Sequence, residues 1–97
     1  MDSLTWLQDW YTKQCDGDWE HSNGVQIDTL DNPGWSVNIN LQDTRYNEVL
    51  NAVIVDKYVG DSDWIVCRIV HGRFEGRGDS QKLLLIVQKF RSWIDNF

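Results

Sequence analysis

The fold is decided by residues 64–97, WIVCRIVHGRFEGRGDSQKLLLIVQKFRSWIDNF. The run Trp64–Val70 is apolar on both faces except at Arg68, which predicts a strand near the centre of a sheet. A short turn then leads into a second strand, Arg73–Arg77. These two adjacent strands are followed by a third element, in which the apolar residues have a different spacing.

This third element is a helix with the strongest periodic signal in the chain, and Asp79 or Ser80 is expected to cap its start. Its apolar side chains recur at the spacing of one helix face. They are Leu83, Ile86, Val87, Phe90, Trp93, Ile94 and Phe97. Because such a stripe has to be buried, the helix is expected to pack on the aliphatic side of the sheet.

A hairpin is predicted upstream, because the apolar residues alternate with a period of two between Val25 and Leu41. Its turn is DNPG at residues 31–34, in which proline presets its own φ and glycine tolerates a positive φ. A further strand is predicted over Ala52–Val59. The intervening residues 43–51 have no clear period and are interpreted as a loop or irregular edge.

A first helix is predicted at the N-terminus, capped by Asp2 or Ser3 and ending near Asp16 and Gly17. The whole chain, residues 1–97, is then expected to form a single α+β domain. In this domain an antiparallel sheet of about five strands, ordered as a meander, packs against the N-terminal and C-terminal helices.

Charge and composition argue against several classes of function. The 97 residues carry 15 Asp and Glu against nine Lys and Arg, and the net charge of −6 opposes direct binding to nucleic acid or to an anionic membrane. Residues 1–63 have a balance of −9 and residues 64–97 a balance of +3. No apolar run is long enough to cross a bilayer, and the start MDSLTWLQDW lacks the features of a signal peptide. A cytoplasmic location is therefore expected.

No cofactor or metal ion is expected. Asp16, Asp18 and Glu20 have the spacing with which a calcium-binding EF-hand loop begins. His21 and Ile27, however, occupy the positions where such a loop needs a glycine and a bidentate acid. The segment is therefore interpreted as an acidic, solvated turn.

The sharpest enzymatic alternative is a cysteine-dependent sulfurtransferase that uses Cys15. Cys15 and Cys67 are too few for a disulfide framework, and both thiols are expected to be reduced. A reactive thiolate is favoured by cations and by helix N-termini, whereas Cys15 is expected at a helix C-terminus beside several acids. Cys15 is therefore interpreted as a packed thiol, and no catalytic residue is predicted.

Three segments together resemble the immunity protein 53 family, which belongs to bacterial polymorphic toxin and contact-dependent competition systems. These segments are residues 4–41, 62–69 and 74–94. The resemblance depends on a combination of motifs in order: Trp6, Trp10, CDGDWEH at 15–21, NPGW at 32–35, Asp63-Trp64, Gly76, Gly78-Asp79 and Phe90–Trp93. This chain departs from the family pattern mainly at 46–55, which is more apolar. The resemblance implies a small cytoplasmic protein without a catalytic role that binds and neutralises a cognate toxin.

The acidic loop suggests how such a protein could bind. Many delivered toxins are nucleases with basic clefts, and an acidic inhibitor can occupy such a cleft and accelerate the encounter. We expect a toxin-facing surface that combines loop carboxylates with an aromatic anchor. Its members are Asp16, Asp18, Trp19, Glu20 and Trp35. The alternative is that Trp19 and the acids only stabilise the turn.

The chain is expected to be a monomer or a weak homo-oligomer. A third interpretation is an oligomeric structural module, in which exposed Trp residues form a self-interface.

Overall fold

In the computed structural model, which describes all 97 residues, three helices and five strands follow one another. They are α1 (Ser3–Gln14), α2 (Trp19–Ser22), β1 (Val25–Leu30), β2 (Gly34–Asn40), β3 (Asn51–Gly60), β4 (Asp63–Val70), β5 (Arg73–Asp79) and α3 (Leu83–Asp95). The predicted α+β fold, an antiparallel five-stranded sheet with a helix from each end of the chain, is confirmed. None of the helices has the length and apolar character that crossing a bilayer requires.

The strand order is β1-β2-β5-β4-β3, which differs from the predicted meander. The β1–β2 hairpin forms as expected, but β2 pairs with β5 from Gly34 opposite Asp79 to Asn40 opposite Arg73. The segment 41–50 carries the chain from β2 past the ends of β5 and β4 to the far edge. Since β5 pairs with both β2 and β4, it is the central strand. β4, which is predicted near the centre of the sheet, lies between β5 and β3.

Both terminal helices contribute to one hydrophobic core on a single face of the sheet. Phe90 of α3 lies in its middle, with its ring centroid 4.9 Å from that of Phe74 in β5 and 5.0 Å from that of Trp10 in α1. The buried core residues are Leu7, Trp10, Trp19, Val37, Ile39, Leu41, Ile65, Cys67, Ile69, Phe74, Ile86, Val87 and Phe90. The apolar stripe predicted for the C-terminal helix therefore faces the sheet.

The helix α3 approaches β5 closely because this strand carries glycine on its helix-facing side. A Cβ atom on Gly76 would overlap the side chain of Ile86. A Cβ atom on Gly78 would lie 2.7 Å from the Cβ atom of Lys82. The absence of side chains at these two positions thus sets the distance between the helix and the sheet.

The start of α3 at Leu83 is later than predicted. Asp79, one of the two expected caps, is the last residue of β5 and is buried. Its carboxylate accepts hydrogen bonds from the N–H groups of Trp64 (2.8 Å) and Gln81 (2.9 Å) and pairs with the ammonium group of Lys82 (2.7 Å). These bonds tie the end of β5 to β4 and to the following turn, so the carboxylate is not available to cap the helix.

The N-terminal helix begins and ends as predicted. The Asp2 carboxylate caps it by accepting a hydrogen bond from the N–H group of Thr5 at 2.8 Å, and its last residue is Gln14. Residues 42–48 form turns, which agrees with the interpretation of this segment as irregular.

Candidate functional site

The acidic loop, residues 15–20, joins α1 to α2 and includes the first two residues of α2. It is held together by its own carboxylates. Glu20 accepts hydrogen bonds from the N–H groups of Asp16 and Gly17, each at 2.9 Å. Asp16 accepts hydrogen bonds from the N–H groups of Asp18 and Trp19, also at 2.9 Å. Gly17 has a φ of +97°, a conformation that glycine adopts readily. The loop is therefore a fixed structure.

The same hydrogen bonds favour the ionised state of two loop carboxyls. The N–H group of Trp19, followed by that of Asp18, lowers the pKa of Asp16 below its usual value. Backbone N–H groups, first that of Glu20 itself, lower the pKa of Glu20. The exposed side chain of Asp18, by contrast, does not cap α2. The loop thus presents one free carboxylate, Asp18, beside two that the backbone holds in place.

The Trp19 side chain lies beneath the loop. It is only 2% exposed, and its ring centroid is 6.1 Å from that of Trp10 and 5.8 Å from that of Tyr11. Its indole N–H group has no hydrogen-bond partner within the protein. Trp19 therefore fastens the loop to α1 and supports the acids from below.

Trp35 lies apart from the acidic loop. It is opposite Thr29 near the end of β1, whereas the loop precedes the start of β1 at Val25. Trp35 is half-buried, and its indole N–H group donates to the carbonyl oxygen of Ser80 at 3.0 Å. The structure therefore brings four of the five predicted surface residues together, and it places Trp35 at the other end of β1.

A polar cavity of about 480 Å³ lies next to the loop, where the chain after α2 meets the face of the sheet that the helices leave uncovered. Its lining residues are His21, Ser22, Asn23, Gly24, Val25, Gln26, Asn38, Asn40 and Arg73. This cavity is not among the features predicted from the sequence. The alternation of Asn38 and Asn40 with Val37 and Ile39 was a signal for it, but only the pairing of β2 with β5 brings Arg73 beside the amides.

Arginines of the central strands lie on the same uncovered face. Arg73 forms an ion pair with Glu75 at 2.6 Å. Arg77 donates to the side-chain oxygen of Asn38 at 3.0 Å and to the carbonyl oxygen of Gly76 at 2.9 Å. Some of the positively charged side chains of residues 64–97 therefore bind groups within the sheet.

The two thiols differ in exposure, and both are unpaired. Cys15 is half-buried at the end of α1, where its S–H group donates to the carbonyl oxygen of Tyr11 at 3.3 Å. Cys67 is fully buried, and burial raises the pKa of its thiol to about 12. A thiol with such a pKa is protonated at neutral pH and is a poor nucleophile. Cys67 is therefore not a reactive thiol, and Cys15, the residue that the sulfurtransferase alternative uses, lies at the C-terminal end of α1 rather than at the helix N-terminus that would favour a thiolate.

No group of three or more His, Cys, Asp or Glu side chains lies close enough together to hold a metal ion. In the acidic loop, the carboxylates of Asp16 and Glu20 already bond to backbone N–H groups. The arrangement is suited to presenting negative charge to a partner rather than to coordinating a cation.

A family model described as immunity protein 53 matches residues 4–95 of the chain. The match covers α1 from its second residue, the acidic loop, the whole sheet and α3. No curated protein and no solved structure matches the chain significantly.

Proposed function

This chain belongs to the immunity protein 53 family, and we propose that it binds a cognate bacterial toxin and neutralises it through a protein–protein interface. The match of the family model over residues 4–95 carries this proposal. In the proposed role the chain performs no chemical step, because it acts by occupying a surface of the toxin. We place this action in the cytoplasm of the cell that produces the toxin.

The proposed toxin-facing surface includes the acidic loop. Asp18 makes direct contacts, since its side chain is exposed and does not cap the following helix. Asp16 and Glu20 add negative charge and hold the backbone of the loop, while Trp19 supports it from below. We place Trp35 at the far end of this surface, near the end of β1.

The net charge of −6 favours a partner with a basic binding surface, such as the phosphate-binding cleft of a nuclease toxin. An acidic loop with fixed geometry can enter such a cleft without a large loss of conformational entropy, because its conformation is already set by internal hydrogen bonds. Electrostatic attraction would then guide the encounter, and the contacts around the loop would provide specificity.

Co-expression with the toxin encoded beside the gene for this chain tests the proposal. Bacteria that express the toxin alone should stop growing, and bacteria that express both proteins should grow. The two purified proteins should also elute together from a size-exclusion column. Loss of growth in both strains, together with separate elution at micromolar concentrations, would contradict the proposed function.

A further inference from the structure

The edge strand β1 has unpaired backbone groups along its outer side. In an antiparallel pair of strands, residue pairs that are hydrogen-bonded to each other alternate with pairs that are not. The N–H group of Asn40 donates to the carbonyl oxygen of Gly24 at 3.2 Å, so Gly24 and Asn40 form a hydrogen-bonded pair. Every second residue from Gly24 onward therefore bonds to β2, whereas Val25, Ile27 and Thr29 direct their N–H and C=O groups outward. No loop of the protein forms backbone hydrogen bonds with these outward groups.

An apolar groove of about 470 Å³ lies between α1 and the start of β1. One face of α1, with Leu4, Leu7 and Tyr11, forms one wall, and Val25 contributes to the other. Leu4 is 69% exposed, and Ile27, which follows along the strand on the helix-facing side, is 39% exposed. A strand added beside β1 would cover these apolar groups with the side chains of its inner face.

The opposite edge of the sheet is protected against such pairing. The register of β3 with β4 shifts between Val53 and Val55 and again between Tyr58 and Gly60. β3 also carries Lys57. Bulges and lysine are devices by which proteins prevent pairing at an edge strand. β1, by contrast, pairs with β2 over six consecutive residues without a shift and contains neither lysine nor proline.

The charge around β1 indicates the chemistry of the partner. Residues 14–44 contain no Lys or Arg. The acids in this range are Asp16, Asp18, Glu20, Asp28, Asp31 and Asp43. A basic strand is therefore attracted to this edge, whereas a second copy of the chain would bring like charges together.

We propose that an extended, basic segment of the cognate toxin adds to the sheet as a sixth strand beside β1. Its backbone bonds to the outward groups of Val25, Ile27 and Thr29. The apolar side chains on its inner face fill the groove below α1, and Lys or Arg on its other face lie near Asp28. This inference rests on the proposed function, because it assigns the position and conformation of the toxin segment.

Amide hydrogen exchange of this protein, measured with and without the purified toxin domain encoded beside its gene, tests the inference directly. In the free protein the amides of Val25, Ile27 and Thr29 should exchange fast, since they are unpaired. In the complex their exchange should slow by at least about tenfold, because each donates to the added strand. If all three amides exchange fast in a complex in which the toxin is inactive, the inference is wrong, while the proposed function stands.

The substitution Ile27→Pro removes one outward N–H group without removing a bond to β2, and edge strands tolerate proline at such positions. It should weaken binding of the toxin domain by about 10- to 100-fold, because one main-chain hydrogen bond is lost and a buried carbonyl group is left unpaired. Ile27→Val is the matched control, because it keeps the N–H group and the β-branched shape. Its affinity should remain within about threefold of the original, since only one methylene group is removed.

Equal binding by Ile27→Pro and Ile27→Val would also overturn the inference. If Ile27→Pro does not fold, as judged by circular dichroism, the exchange measurement on the unmodified protein decides alone. Protection of the three amides in the free protein that increases with its concentration would identify a second copy as the occupant, and this too would overturn it. Absence of any complex with the toxin domain would contradict the proposed function itself.

Discussion

Gly76 determines how closely α3 can lie against the central strand. Its helix-facing side is filled by Ile86 and by the ring of Phe74, so an added methyl group has no space. We expect Gly76→Ala to reduce the free energy of unfolding by about 1–3 kcal/mol, as overpacked core substitutions do. Urea denaturation measures this difference.

Gly60→Ala provides the matched control, because a Cβ atom at Gly60 would meet no other atom within 4 Å. The stability of this variant should stay within about 0.5 kcal/mol of the original protein. Equal losses of stability in the two variants would show that the close approach of α3 to β5 does not constrain position 76.

Asp79 makes the stability of the protein depend on pH in the acid range. The ammonium group of Lys82, followed by the N–H groups of Gln81 and Trp64, holds the pKa of Asp79 at about 2, below the ordinary value of 3.8. The ionised form is therefore favoured by folding, so its contribution is complete above pH 3.8 and is lost as the pH falls toward 2.

The substitution Asp79→Asn should remove this contribution. The free energies of unfolding of the variant and of the original protein should differ most above pH 4 and converge as the pH approaches 2, which denaturation at a series of pH values would measure. A constant difference over this range would contradict the assignment of the pH dependence to Asp79.

Phe90 is the largest of the three buried residues of the C-terminal helix, the others being Ile86 and Val87. Phe90 is fully buried and contacts Phe74 in β5 as well as Trp6 and Trp10 in α1. Phe90→Ala should cost about 3–5 kcal/mol, a large part of the stability of a small domain. The milder Phe90→Leu keeps a measurable transition if the alanine variant does not fold.

The exposed Leu84 of the same helix is the control for this prediction. Leu84→Ala should change the free energy of unfolding by no more than about 0.5 kcal/mol, because the side chain is already in water. Thermal denaturation followed by circular dichroism compares the variants. A larger loss at Leu84 than at Phe90 would contradict the packing described for α3.

Most elements could be predicted from the sequence, because the spacing of apolar residues differs between helices and strands, and so could the acidic segment as a turn. The short helix α2 could not, because four residues are too few to show a helical period. The strand order could not, since the pairing of β2 with β5 joins residues that are distant in the chain and leaves no local pattern. Burial of the tryptophans could not be predicted either: Trp64, in an apolar strand, is half-buried on the uncovered face, whereas Trp10 and Trp19 are buried. Whether a large aromatic side chain of the sheet is buried depends on which face of the sheet the helices cover.

Across the whole chain, the acids of the loop and β1 are separated in sequence from the basic residues, since residues 14–44 contain six acids and no Lys or Arg. This separation predicts that the loop steers association with a basic toxin. Asp18→Lys should slow association by about three- to tenfold at low salt, and by less at high salt, where charges are screened. Stopped-flow mixing with the toxin domain measures the rate.

Asp56→Lys is the control for this prediction, because it changes the net charge equally but lies on β3 at the opposite edge of the sheet. Its association rate should be reduced less than that of Asp18→Lys. If both variants associate at the same rate, only the net charge matters, and the acidic loop does not lie in the interface.

In the function proposed above, this chain neutralises a toxin by binding it. The most direct measurement is the activity of the purified toxin domain, encoded beside the gene, during titration with this protein. We expect the activity to fall in proportion to the added protein and to disappear near equal molar amounts. Full toxin activity in the presence of a large molar excess of folded protein would contradict it.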